Sequence, residues 1–395
     1  MARDKGRYRV GLVAVAIGLP SFLALPFATV RSSRIVTGSG VSAWHALGPS
    51  LALLLTVMWV LVAALSLSDG GRRAALARGT LGAGIIVALI SVSGWAATTI
   101  GAATGPFARV SIGSGVWVSA IAAYTVLLAS RRIVGPSTLL GLALGLVVPV
   151  SIVGLLASGY LSNLGMMKEY ANVQDRFWVE AVNTVVFSAA SVAIAIAVGV
   201  GLGIAAFRNQ RLERPVFATV SVFQTVPGLA MVGLLVAPLA ALSFAVPFLR
   251  NLGVGGIGWA PVVTALTLYA LLAIVRNTYA GLRGVPPTVV DAGRGMGMSE
   301  RQLMRKVRIP LAGPVLFSGI RTSTVQTIGN ATLGAFVGGI TLGRFIFEGL
   351  AEQAPDLTML GSIALVVIAL VVDALLRGAQ GLLFGRRALA EGDGS

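Results

Sequence analysis

The stretch Asp291-Ala-Gly-Arg-Gly-Met-Gly-Met-Ser-Glu-Arg-Gln-Leu-Met-Arg-Lys-Val-Arg-Ile-Pro310 is a polar, glycine-punctuated island between two apolar runs. Pro286 and Pro287 suit a helix start just ahead of it, because the first-turn amides have no intrahelical partner and the proline φ is already helical. Gly293, Gly295 and Gly297 permit a sharp reversal of the chain. Ser299 followed by Gln302 matches a capping box, so a second short helix is predicted to begin there and to stop at Pro310. Two short helices meeting at a glycine bend make a compact knob bounded by two membrane spans. Met296 and Met298 are its adaptable apolar contacts. Such a knob transmits force when something grips it.

Outward from this island the chain is built for lipid. It is 56% hydrophobic and 11% charged, with a mean hydropathy of +0.89, far from the composition of soluble globular proteins. About 20 apolar residues cross a ~30 Å hydrocarbon layer. Runs of that length predict spans near residues 10–30, 47–67, 79–102, 113–130, 138–159, 181–206, 215–241, 259–280, 311–337 and 357–376. The fold class is therefore an all-α polytopic membrane protein with about ten transmembrane helices.

The net charge of +16 raises the question of nucleic acid, but its basic residues are scattered over short loops, none long enough to track a phosphate backbone. They report topology instead. With the N-terminus inside, 22 of the 30 Lys and Arg fall in inner segments and only Arg31, Arg34, Arg109, Lys168, Arg176, Arg250 and Arg344 in outer ones, leaving Arg321 within a span. That bias has the sign of the positive-inside rule and puts both ends and the knob in the cytoplasm. Arg3, Lys5, Arg7 and Arg9 ahead of the first span resemble the start of a secretory signal, but the apolar run exceeds a signal core, so an uncleaved anchor is expected.

With no cysteine, the chain has no disulfide, thiolate metal site or thiol nucleophile, and its one histidine, His45, rules out a multi-histidine cluster. No catalytic or metal-binding residue is assigned. No G-x-x-x-x-G-K-[ST] phosphate loop is present, and the only lysines are Lys5, Lys168 and Lys306. Gly253-x-Gly255-x-x-Gly258 and Gly201-x-Gly203-x-x-Ala206 mimic dinucleotide fingerprints, but neither follows a strand in a βαβ unit.

The two halves differ. In the first five spans there is almost no polar residue at membrane depth, and Gly141-x-x-x-Gly145 has the spacing that lets helices approach closely. Residues 160–180 mix Lys168, Glu169, Asp175 and Arg176 with Phe177 and Trp178, as suits an interfacial helix or an ordinary linker. The last five spans carry polar residues and prolines: Gln224, Thr225, Pro227 and Pro238 in the seventh, and Ser318, Arg321, Thr322, Gln326 and Asn330 in the ninth. Ser318, Thr322, Gln326 and Asn330 follow one another at four-residue steps and form one helical stripe. Facing lipid, such groups would cost several kcal/mol, so the stripe faces either a translocation pathway or neighbouring helices that it hydrogen-bonds. Arg321 lies roughly 16 Å along its span at 1.5 Å per residue, where an ion-pair partner or a substrate would satisfy it. Asp373 and Arg377 stand at the four-residue spacing of a helical ion pair.

Asp291-Ala292-Gly293, Gly297 four positions beyond Gly293, and Val307-x-Ile309-Pro310 resemble the E-A-A, Gly, I-x-L-P signature of binding-protein-dependent ABC importer permeases, with its spacing intact. Asp291 stands for the family glutamate and Gly293 for its second alanine, which shortens the acid by one methylene and weakens the first short helix. Asn183-Thr184, Gln224-Thr225-Val226-Pro227, Tyr269-Ala270-Leu271-Leu272, Arg276 to Leu282, Gly319-Ile320-Arg321-Thr322, Ile328 to Leu333 and Gly343 to Leu350 resemble the osmoprotectant branch, which takes glycine betaine, choline or carnitine. The likeness covers about residues 178–378, and the first five spans look like the extension of a long-permease subgroup.

That resemblance implies a multi-pass permease subunit of the bacterial inner membrane. It implies partners: an extracytoplasmic solute-binding protein, a second permease subunit of the same or another sequence, and ABC ATPase subunits that bind the ATP and magnesium this chain does not. It also implies ATPase coupling through Asp291, Ala292, Gly293, Gly297, Met298, Ser299, Ile309 and Pro310, and a path lined by Asn183, Gln224, Thr225, Pro227, Arg321, Thr322, Gln326 and Asn330. The expected organisation is an N-terminal extension at 1–160, an extracytoplasmic interfacial segment at 161–180, a permease core at 181–378 containing the coupling loop 283–310, and a cytoplasmic tail at 379–395. An aromatic cage for a quaternary ammonium belongs to the binding protein in such systems, so Tyr269, Trp259 and Phe223 are read as packing or interface residues. The same architecture could import another small solute, an amino acid or sugar derivative. A secondary transporter would need paired carboxylates at mid-membrane, and no span supplies an obvious pair.

Overall fold

A computed structural model describes residues 2–34, 36–67 and 71–385. Residues 386–395 of the expected tail, with Arg386 and Arg387, lie outside the described residues, as do the side chains of Arg3, Lys5, Arg7 and Arg9. The chain forms two compact units, Met1–Asn172 with Glu352–Asp356, and Val173–Ala351 with Leu357–Ser395.

The first unit runs α1 (Ala2–Ala24), β1 (Ala28–Arg31), β2 (Ser39–Val41), α2 (Ala43–Leu67), α3 (Gly71–Thr104), β3 (Arg109–Ile112), α4 (Ser114–Val134), α5 (Leu139–Ala157) and the start of α6 (Gly165–Arg208). Its helices close around Phe22, Leu55, Trp59, Ile85 and Leu89, all under 2% exposed or nearly so. Trp59 donates its indole N–H to the hydroxyl of Ser119 at 3.2 Å, so the one polar atom of the largest core side chain is satisfied. Three short antiparallel strands in the order β2-β1-β3 join the loops after α1 and α3. They are absent from the predicted fold, which ran the first span to residue 30. Pro26 breaks that run, because the residue before a proline is driven out of the helical region. Glu169, buried in this unit, holds Arg34 at 3.1 Å and Arg109 at 3.6 Å. Asp356 takes Arg31 at 3.5 Å and the Ser111 hydroxyl at 2.7 Å. Arg31, Arg34 and Arg109, three of the seven charges counted as outer ones, are thus engaged by buried carboxylates of this unit.

The glycines Gly141 and Gly145 work differently from a helix-crossing motif. A methyl at Gly141 would meet the Gly135 carbonyl at 2.0 Å, and one at Gly145 the Arg131 guanidinium at 2.7 Å. They admit the preceding turn and the Arg131 side chain, whose Nε donates to the Gly141 carbonyl at 2.9 Å.

The second unit contains the rest of α6, then α7 (Gln210–Thr225), α8 (Gly228–Ala245), α9 (Pro247–Asn251), α10 (Trp259–Arg283), α11 (Pro287–Gly295), α12 (Glu300–Leu303), a π-helical turn (Met304–Arg308), α13 (Ile309–Asn330), a 3-10 turn (Ala331–Val337), α14 (Gly343–Ala351) and most of α15 (Pro355–Phe384). Helix α10 is its spine, with Val262, Ala265, Leu266, Ile274 and Val275 buried against α7, α8 and α13. Residues 165–180 extend the span of α6 and do not form an element of their own, since Gly165–Arg208 is one unbroken helix.

Eight helices among the described residues are long and apolar enough to cross a membrane. The first and ninth of the expected ten spans are also helical, but α1 is apolar only over Val10–Ala24, and the stripe on α13 lowers its hydropathy. The seventh span is two helices, broken at Val226-Pro227. Val226 is extended there (φ −73, ψ 127), the conformation a following proline imposes.

Candidate functional site

The knob is built as its residue types require. Helix α11 starts with Pro287 in its first turn and ends in a left-handed Gly297 (φ +79). The Gly297 amide donates to the Arg294 carbonyl at 2.9 Å and the Met298 amide to that of Gly293 at 3.1 Å, the paired bonds of a Schellman motif. The capping box forms: the Ser299 amide donates to the Gln302 side chain at 2.8 Å, and the Gln302 amide to the Ser299 hydroxyl at 3.4 Å. Val285, Val290 and Leu303 are buried inside the knob, with Met298 half-buried against them. Gly293 is buried too, and a Cβ there would meet Leu303 Cδ2 at 2.5 Å. The departure from alanine at this position is therefore matched by Leu303, which fills the space.

Pro310 corrects a prediction. It does not stop the second helix; α12 passes through the π turn into α13, with Pro310 in the first turn of α13. A proline lacks the amide and crowds the carbonyl four residues back. The wider π turn, in which the Ile309 amide reaches the Met304 carbonyl, accommodates both.

Asp291 and Ala292 are exposed, and Met296 at 71% is the most exposed apolar side chain of the knob. Arg294 links Asp291 at 3.4 Å to Glu300 at 2.9 Å, crossing the bend. Its guanidinium is pushed further up, first by the hydrogen bond it donates to Glu300. Open to water, these pairs fix geometry more than stability. Ile309 and Pro310 are exposed at the far end of the loop.

The second constellation lies at the break in the seventh span. Gln224 from α7, Tyr269 and Ala270 from α10, and Gln326, Thr327 and Asn330 from α13 line a cavity of about 200 Å³. Tyr269 organises it: its hydroxyl donates to the Val226 carbonyl at 2.8 Å, where the helix is interrupted, and its own carbonyl accepts from Gln224 Nε2 at 3.1 Å. Irregular backbone at membrane depth is tolerated where side chains satisfy it beside a polar cavity. The cavity thus presents three side-chain amides and no charged side chain.

Of the predicted path residues, Gln224, Gln326 and Asn330 meet here. Pro227 makes the break, while Thr225 returns its hydroxyl to the Val222 carbonyl at 2.8 Å. Asn183 and Thr322 are not among the lining residues. Arg321 is bound to Asp373, which Arg377 also binds, so its charge is spent on α15. Tyr269 and Thr327 were missed as lining residues. The signal for Tyr269 was its position one span away from a proline break, which only a contact between spans reveals. Among the described residues no group of acidic or histidine side chains could hold a metal ion.

Residues 195–388 match the family of the binding-protein-dependent transport system inner membrane component, and residues 6–167 match the N-terminal domain of the ABC transporter permease YehY. The carnitine transport permease protein OpuCB of Listeria monocytogenes is 43% identical over 42% of this chain and 69% of its own length. The choline transport system permease protein OpuBB of Bacillus subtilis is 39% identical over 42% and 69%. The osmoprotectant import permease protein OsmW of Salmonella typhimurium is 38% identical over 45% and 77%. A chain of the MetNI methionine ABC transporter in an inward facing conformation aligns with 54% of this chain and 98% of its own at 21% identity, with a TM-score of 0.47. The protein thus belongs to the binding-protein-dependent transport system inner membrane components, as a multi-pass permease of the bacterial inner membrane whose ATP hydrolysis is performed by a separate ATPase.

Proposed function

We propose that this chain forms the translocation path of an ATP-driven importer for a small compatible solute of the glycine betaine, choline or carnitine class. The observation that carries the reading is the convergence of Gln224, Gln326 and Asn330 with Tyr269 on one uncharged polar cavity at a broken span. Relatives named for carnitine, choline and osmoprotectant transport support the solute class. A cavity with amide donors and acceptors but no fixed charge offers passage without a trap, since binding strong enough to hold the solute would slow its release.

In this reading the knob 283–310 faces the cytoplasm and docks an ABC ATPase that binds ATP and magnesium. Asp291, Ala292, Gly297, Ser299 and the exposed Met296 form the contact surface, while Gly293 and Met298 hold its shape. A solute-binding protein delivers cargo from outside, and a second permease subunit completes the pore. Residues 1–160 are an N-terminal extension, 161–180 an extracytoplasmic interfacial segment that runs into α6, 181–378 the permease core, and both chain ends are cytoplasmic. Closure of the ATPases on the two knobs alternates access to the cavity.

The test is uptake by proteoliposomes holding the permease with its ATPase and binding protein. ATP-dependent accumulation of labelled betaine, choline or carnitine, and none of an amino acid or sugar, is the expected result. Uptake without the ATPase, or only of the other solutes, overturns the reading.

A further inference from the structure

At the base of the knob lies an open groove of about 800 Å³ that the transport cycle described above leaves without a role. Arg208, Arg301, Arg305 and Arg308 line it together with Glu300, Phe207 and Met304. Arg301, Arg305 and Arg308 stand at i, i+4 and i+7, so they share one face of the α12 to α13 rod, and Arg208 meets them from the last turn of α6. Glu300 is the single carboxylate, and it is engaged by Arg294 at 2.9 Å. Among the described residues none of the four arginines forms an ion pair. Arg308 instead lies over the Phe207 ring at 4.8 Å. Four gathered cations repel one another unless an anion joins them.

The depth of the groove selects the anion. Arg208 and Phe207 close the apolar run of α6, and Arg308 directly precedes α13, so the groove sits where two spans leave the hydrocarbon. Its floor is apolar, with Met304 buried and Phe207 half-buried. Cationic side chains above an apolar floor at the hydrocarbon boundary match a phosphate headgroup with its acyl chains below. We propose that this groove binds the headgroup of an anionic phospholipid, through guanidinium contacts to its phosphate. The site is independent of the solute reading, and neither falls with the other.

The test is native mass spectrometry of the full chain, purified with equal amounts of phosphatidylglycerol and phosphatidylcholine of matched acyl chains. Retention of phosphatidylglycerol is expected, falling roughly 100-fold in the Arg208→Gln, Arg305→Gln, Arg308→Gln triple variant, given that each basic residue near an anionic surface contributes about a factor of five. Arg72→Gln with Arg73→Gln, which removes charge from an exposed helix start in the first unit, leaves retention unchanged. Millimolar inorganic phosphate does not displace the lipid. If the triple variant is not recovered folded, the corresponding lysine variants replace it, with retention expected between wild type and background because the planar fork is lost and the charge kept. Equal retention of the two lipids by the wild type, equal loss in the Arg72/Arg73 control, undiminished retention in the variants, or displacement by inorganic phosphate would each overturn the proposal.

Discussion

At the scale of single residues, the cavity and the knob make separable demands. Gln326→Ala and Asn330→Ala are expected to lower solute uptake several-fold while ATPase association, measured by co-purification, stays unchanged. An equal fall in both would show that these amides only pack helices. Tyr269→Phe removes the donor to the Val226 carbonyl, leaving an acceptor unsatisfied at a cost of about 1–3 kcal/mol, so uptake and the thermal stability of the purified chain should fall together. Gly297→Pro cannot adopt φ +79 and deletes the amide that closes the turn. Insertion into the membrane should persist while ATP-driven uptake is lost, and undiminished uptake would remove the knob from the coupling path. Arg321 was legible as a residue needing a partner, and the nearby acid Asp373 was read only toward Arg377. That Asp373 serves both arginines depends on how α13 and α15 lie side by side, which no local spacing encodes. Removing Arg321 leaves Asp373 with Arg377, whereas removing Asp373 strands Arg321, so Asp373→Leu should damage assembly more than the Arg321→Met, Asp373→Leu pair. Yield and melting temperature in detergent decide this.

At the scale of elements, long apolar runs marked every helix that the spans named, because lipid demands an uninterrupted stretch with its backbone satisfied internally. Polar punctuation located the knob for the converse reason. What stayed hidden were features shorter than a helical turn or set by a partner. The four residues of β1 and of β3 carry no signal against flanking spans, and their pairing is fixed by a neighbour some eighty residues away. Pro310 was read by its local cost alone, and the π turn that absorbs that cost became visible only in the fold. Pro227, read simply as a proline within a span, proves to divide it. Pro227→Ala should let α7 and α8 merge, drawing Gln224 off the cavity; distances between spin labels across residues 220 and 232 would shorten or lengthen with uptake lost, and unchanged uptake would show the break to be dispensable.

At the scale of the molecule, the first unit carries a buried carboxylate held by two cations. Glu169 is 1% exposed yet flanked by Arg34 and Arg109. Neutralising one member of a buried charge cluster is strongly destabilising, on the order of 3–5 kcal/mol, so Glu169→Gln should lower the first melting transition of the purified chain. ATPase association, which the proposed function places on the second unit, should be unaffected; a single transition shifted as a whole would mean that the units melt together.

The continuity from Glu300 through Arg308 to Asn330 has a mechanical corollary. A helical shaft of that extent measures roughly 46 Å at 1.5 Å per residue, with the capped end in the knob and Gln326 and Asn330 near the opposite tip. Rocking such a lever by about 10° swings its distal amides by roughly 8 Å, more than a hydrogen bond can follow. Under the proposed coupling, a motor that nudges the handle would make the lining let go of its passenger, and the coiled slack of the π turn is where that stroke would be tuned.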